Sequence, residues 1–185
     1  DPLRELGTHA EPLRRALETD PVAVRWSTST DRAELQRMLG DVGTWTFFGH
    51  SRMPTADATN IPWQWSMGLL IGTDTSLDAF EVLMLPATAP HRIALVGCST
   101  GVVDPALSPG SITLAQAFIV RGSRQVLATH ADIAPRHAVE MTRQLAPELA
   151  GGGEADLAVA LRRAQLDLRA NAPDTPWPAW RVWEP

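Results

Sequence analysis

One thiol and one imidazole stand where they could do chemistry. The chain's single cysteine, Cys98, sits in Val96-Gly97-Cys98-Ser99-Thr100-Gly101, directly after the apolar run Ile93-Ala94-Leu95-Val96. Well upstream, a second apolar run, Trp45 to Phe48, ends in Gly49-His50-Ser51. A cysteine and a histidine at the tips of two core strands are the parts of a nucleophilic dyad: the thiolate attacks, and the imidazole takes and returns the proton. If the two strands are parallel neighbours, both side chains emerge at one sheet edge, where open α/β folds place their sites. The residues alone leave a plainer reading open. Cys98 would then be a small buried hydrophobe and His50 a hydrogen-bonded structural histidine.

The elements that must position this pair can be read from periodicity. Residues 1–21 carry Leu3, Leu6, Leu13 and Leu17 among charges and prolines, which predicts one amphipathic helix or a linker. Val22–Trp26 is a short strand candidate. Asp31-Arg32-Ala33-Glu34 has the pattern of a capping box, with Leu35, Met38 and Leu39 on the following helical face and Gly40 as its stop. After the strand Trp45–Phe48, residues 51–66 form a long loop with Trp63 and Trp65, and a loop of that length beside a histidine has the character of a functional one. Met67–Ile71 reads as a strand or hairpin arm, and Ser76 as the cap of a helix carrying Leu77, Phe80, Leu83 and Met84. Strand Arg92–Val96 leads to Cys98 and a second loop, Gly101–Gly110. Helix Ser111–Arg121, strand Gln125–Thr129 and two helices, about Pro135–Leu149 and Glu154–Asn171, complete the series. The tail Pro176-Trp177-Pro178-Ala179-Trp180 is too rich in proline for a helix and is expected to pack its tryptophans on the body. Alternating strands and helices imply a three-layer α/β/α domain with a mostly parallel sheet.

Composition removes several function classes. At 185 residues the chain is long enough for one full core. A net charge of −5 argues against nucleic acid or an anionic membrane as partner. All 16 basic residues are arginine, which excludes a Schiff-base lysine and a phosphate-loop lysine. One cysteine and scattered histidines give no metal site, and Gly49, Gly97 and Gly101 give no dinucleotide fingerprint, so no cofactor is expected. A lone cysteine, no spanning apolar stretch and no secretory signal predict a reducing, cytoplasmic setting. The chain begins at Asp1 rather than methionine, so flanking domains are expected.

Four segments carry a resemblance: Phe47-Phe48-Gly49-His50, Ala94-Leu95-Val96-Gly97-Cys98-Ser99-Thr100-Gly101, the run Leu114 to Thr129, and Ala160-Leu161-Arg162-Arg163-Ala164-Gln165-Leu166. They resemble the CHAT domain, a caspase-like module often fused to TPR repeats in bacteria and related to caspases, metacaspases, separases and gingipains. The Pro176–Trp180 tail is similar to that domain's closing segment. A histidine about fifty residues before the cysteine also matches the caspase spacing. The likeness spans roughly residues 22–183 and assigns 22–185 to a caspase-like peptidase domain, with 1–21 as a helix or linker before it. Two departures stand out. The family usually has glycine after the histidine, where this chain has Ser51. After Thr129 it usually continues with Leu-Trp and acidic positions, where this chain has His130-Ala131-Asp132-Ile133-Ala134-Pro135.

The resemblance implies a bacterial cysteine endopeptidase. Cys98 would be the nucleophile and His50 its proton partner, with the backbone N–H groups of Ser51 and Cys98 holding the oxyanion. Trp63, Trp65, Asp104 and His130 are candidate substrate-binding residues. The glycine usual after the histidine lets substrate approach closely, so the Ser51 side chain is expected to narrow the site. The substrate would be a protein or peptide, and control would come from a TPR or sensor domain or a partner subunit. Two alternatives stay open: a catalytically inactive interaction module of the same fold, and a small-molecule thiol hydrolase on a flavodoxin-like sheet.

Overall fold

The computed structural model describes residues 11, 14, 15, 27, 29–52, 68–72, 75–102, 112–150 and 156–185. Its centre is a four-stranded sheet, with β1 (Thr44–Phe48), β5 (Arg92–Val96), β6 (Gln125–Thr129) and β7 (Trp180–Trp183) side by side in that order. β1, β5 and β6 are mutually parallel, and β7 is antiparallel to β6. A second, small antiparallel sheet joins β2 (Ser51–Arg52), β3 (Gly68–Leu70) and β4 (Ser76–Asp78).

Helices cover both faces of the main sheet, giving the caspase-like three-layer architecture. One face takes Trp45, Ile93, Leu95, Val126 and Ala128 and packs against α1 (Arg32–Asp41), α2 (Ala79–Leu83) and α3 (Leu114–Val120). The other takes Phe48, Ala94, Val96 and Leu127 and packs against α4 (Pro135–Ala150) and α5 (Leu157–Asn171). The alternation follows the period-2 geometry of a strand. Because β5 is covered on both sides, every one of its residues is buried, and its sequence is correspondingly an apolar run. Burying side chains such as Ile93 and Leu95 contributes about 1.5–3 kcal/mol each. The exception in the run, Arg92, donates from Nη1 to the Glu148 carbonyl at 2.8 Å near the C-terminus of α4, and burial pushes its pKa down.

The strands Arg92–Val96 and Gln125–Thr129 begin and end where the sequence predicts. Four expectations shift. Ser76 does not cap a helix: Ser76–Asp78 pairs with β3, burying Leu77, and Asp78 caps α2 in a full capping box with Glu81. α3 starts at Leu114 rather than Ser111, because Thr113 and Gln116 form the capping box there. α1 runs through Gly40 to Asp41, capped by Asp31 through the Ala33 and Glu34 N–H groups. The tail packs Trp180 into the core as expected, but as strand β7 after a 3-10 turn at Trp177–Ala179. The strand candidate Val22–Trp26, and all of 1–21 except the helical residues 11, 14 and 15, lie outside the described residues. Among the described residues, no helix is long and apolar enough to cross a membrane.

Candidate active site

β1 and β5 end level with one another. Their last paired residues are Phe48 and Val96, and His50 and Cys98 each stand two positions further on. Both side chains line the cleft that Phe48 and Val96 also line, on the side of α4. The two chain tips also meet. The Gly49 N–H donates to the Val96 carbonyl at 3.0 Å, and a Cβ on Gly97 would strike the Gly49 carbonyl group. Glycine at 97 is therefore what lets the histidine tip lie against the cysteine turn.

The turn is fixed from below by two buried threonines. Thr100 Oγ1 donates to the Leu95 carbonyl at 3.0 Å, and the Thr129 N–H donates to Thr100 Oγ1 at 3.1 Å. The Thr129 hydroxyl donates to the Gly97 carbonyl, and the Gly101 N–H to the Thr129 carbonyl at 2.7 Å. A Cβ on Gly101 would meet the Trp183 ring and Ala128, so this glycine is also dictated by packing. The motif Cys-x-Thr-Gly thus has a mechanical meaning: threonine and glycine clamp the cysteine's turn to β6. Ser99, inside that turn, has φ 52°, the left-handed region that side chains other than glycine seldom enter. Its hydroxyl donates to Asp132 Oδ1 at 2.9 Å and its N–H to the Ala131 carbonyl at 3.1 Å.

His50 and Cys98, both half-buried, open on one small cleft between the strand tips and the start of α4. Phe48, Val96, Ile133, Pro135 and Ala138 supply its apolar walls. Of the described lining residues, only His50 and Cys98 carry a side chain able to move a proton. The thiol's own hydrogen bonds go to the Ile133 backbone: Sγ donates to the carbonyl at 3.3 Å and accepts from the N–H at 3.4 Å. No hydrogen bond joins it to His50.

Ser51 enters the site through its side chain. Its hydroxyl donates to the Cys98 carbonyl oxygen, a bond directly between the two tips. Its backbone N–H is directed away from β3. The Leu70 N–H donates to the His50 carbonyl at 2.8 Å, which makes Ser51 and Leu69 a non-hydrogen-bonded pair.

The other sequence candidates fare differently. His130 stands at the end of β6, exposed, with its N–H on the Ala179 carbonyl at 2.9 Å, and is not among the cleft residues. Trp63, Trp65 and Asp104 lie outside the described residues. Sequence reasoning missed Ile133, Pro135 and Ala138 as a wall. The available signal was the altered segment after Thr129, which is where this wall begins.

A family model described as CHAT domain matches residues 14–183. The chain belongs to the CHAT domain family. CHAT domains are related to the caspase-like cysteine peptidases, and the level strand tips, the clamped turn and the helical layers above describe that fold in this chain. No curated protein matches the sequence. Within this CHAT domain, the cleft brings Cys98 of Gly97-Cys98-Ser99-Thr100-Gly101 together with His50, which Ser51 follows.

Proposed function

We propose that this CHAT domain is a cysteine endopeptidase that cuts a protein partner through the His50–Cys98 dyad. The observation that carries the reading is the cleft in which these two side chains, level at the ends of parallel neighbouring strands, are the ones able to move a proton. His50 takes the thiol proton as the Cys98 sulfur bonds to the scissile carbonyl carbon. The carbonyl oxygen becomes an oxyanion, held by the backbone N–H groups of Ser51 and Cys98. The C–N bond then breaks, and the leaving amine takes the proton from His50. Water attacks the resulting thioester, giving up a proton to His50, and the acid product leaves as the thiol is restored. Flanking domains or a partner subunit regulate access, and Trp63, Trp65 and Asp104, which follow the two tips in sequence, contribute to substrate binding.

The test is cleavage of peptide libraries by the wild type, Cys98→Ala and His50→Ala. Activity should vanish in the first variant and fall at least a hundredfold in the second, the scale of a lost general acid–base. Equal cleavage by wild type and Cys98→Ala removes the hypothesis.

One observation favours a second reading, an inactive interaction module of the same fold: the thiol is hydrogen-bonded to the Ile133 backbone and not to His50. Catalytic hydrogen bonds often tighten only when substrate is present, which reconciles that contact with the first reading. Labelling of Cys98 by a peptide electrophile separates the two. Fast labelling that requires His50 favours the enzyme, and a folded protein that fails to label favours the module.

A further inference from the structure

We infer that the side chain of Ser51 is a positioning residue, holding the Cys98 turn in register with His50. The inference rests on the dyad reading above and adds to it a part that neither the family's usual glycine nor a backbone N–H can supply.

The geometry converges on one peptide group, the link between Cys98 and Ser99. Its carbonyl oxygen accepts from the Ser51 hydroxyl, and its N–H donates to the Ala131 carbonyl at 3.1 Å. It leads into Ser99 at φ 52°, a conformation under strain for a residue with a Cβ. A strained peptide relaxes by rotating unless both its ends are tied. Unless the rotation were fully compensated within the peptide, the change in the Cys98 backbone torsion would shift the turn that carries the thiol. Ala131 lies on the β6 side of the turn and Ser51 on the side of the histidine tip. Ser51 is therefore the tie that refers the nucleophile to His50, its own neighbour in sequence. Removing the hydroxyl leaves the Cys98–Ser99 peptide group tied, among the described residues, through its N–H to Ala131 alone. The Ser51 oxygen is turned onto the Cys98 carbonyl.

Substitution separates this role from the backbone N–H of the same residue, which Ser51→Ala and Ser51→Gly both retain. The experiment follows alkylation of Cys98 by iodoacetamide in the full chain as a function of pH. Wild type, Ser51→Ala, Ser51→Gly, Ser51→Thr and His50→Ala are compared, with a thermal midpoint for each. Loss of the hydroxyl should slow labelling near neutral pH about tenfold, the worth of one hydrogen bond at a reacting group. The pH profiles of Ser51→Ala and Ser51→Gly should move toward that of His50→Ala. Ser51→Thr, which keeps a hydroxyl, should stay within about twofold of wild type.

Wild-type rates and profiles in Ser51→Ala and Ser51→Gly would overturn the inference. So would losses in all three serine variants that simply follow their thermal midpoints. Peptide cleavage is measured separately. Labelling that depends on both His50 and Ser51 without any cleavage supports the positioning role and overturns the endopeptidase reading. Labelling indifferent to His50 overturns both.

Discussion

The turn carrying Cys98 is tied to β6 at Gly97, Thr100 and Gly101, all through Thr129, and further on through Ser99 to Ala131 and Asp132. Among the described residues, the tip carrying His50 is held by the Gly49–Val96 and His50–Leu70 backbone bonds, the Ser51 hydroxyl and the short pairing of β2 with β3. The difference shows in the glycines as well. A Cβ on Gly97 meets backbone, which cannot yield, whereas a Cβ on Gly49 meets the end of the Phe47 ring, which can turn. Cys98 is therefore presented by a densely tied support, and His50 by a lighter one whose register depends on the Cys98 turn. Under the proposed peptidase function, such a division suits a dyad that completes itself when substrate arrives.

The two glycines give the largest test of this asymmetry. Gly97→Ala should cost about 3 kcal/mol of folding stability and abolish Cys98 labelling, because the tips must part. Gly49→Ala should cost no more than about 1 kcal/mol, since only a ring has to move. Chemical denaturation of both variants checks this, and equal costs would erase the contrast.

Thr129→Val probes the support itself. The substitution keeps shape but removes the hydroxyl that serves the Gly97 carbonyl and the Thr100 N–H. Leaving those buried groups without a partner should cost about 2 kcal/mol. A variant as stable as wild type by urea denaturation would mean the clamp is not what secures the turn.

The smallest effect concerns the small sheet behind the His50 tip. Burial raises the pKa of Asp78, on β4, and of Glu81 in the adjoining helix above their ordinary values. The unfolded carboxyl thus ionises at lower pH than the folded one. Its contribution to stability is full below the unfolded value and is lost as pH rises through the folded value. Asp78→Asn keeps an acceptor for the helix cap without that loss. Its thermal midpoint should gain on wild type as pH rises from acid toward neutral, with Cys98 labelling unchanged. A midpoint difference that stays constant with pH would contradict the assignment.

Much of the scaffold was legible in the sequence for identifiable reasons. β5 and β6 are short apolar runs buried on both faces, so nothing competes with a strand assignment. The small sheet was harder. Ser76-Leu77-Asp78 offers one apolar residue among polar ones, and the capping preference of serine outweighed a pairing with β3 that no local rule reveals. β7 was hidden behind prolines, which mark the 3-10 turn before it but say nothing about the strand after. In the site, the identities of His50 and Cys98 could be read from residue type and strand-end position. The clamp of Thr100 on Thr129 could be read only in half, since the motif names the first threonine and not its partner.

The sequence by itself determined which atoms could react and on which strand ends they sit, because side-chain chemistry and hydrophobic periodicity are local properties. Only the tertiary structure decided that those ends lie level, that the Ser51 hydroxyl binds the Cys98 carbonyl, and that the thiol rests on Ile133. Those facts depend on strand register and on backbone groups. Every residue other than proline carries the same N–H and C=O, so their partners leave no trace in residue identity.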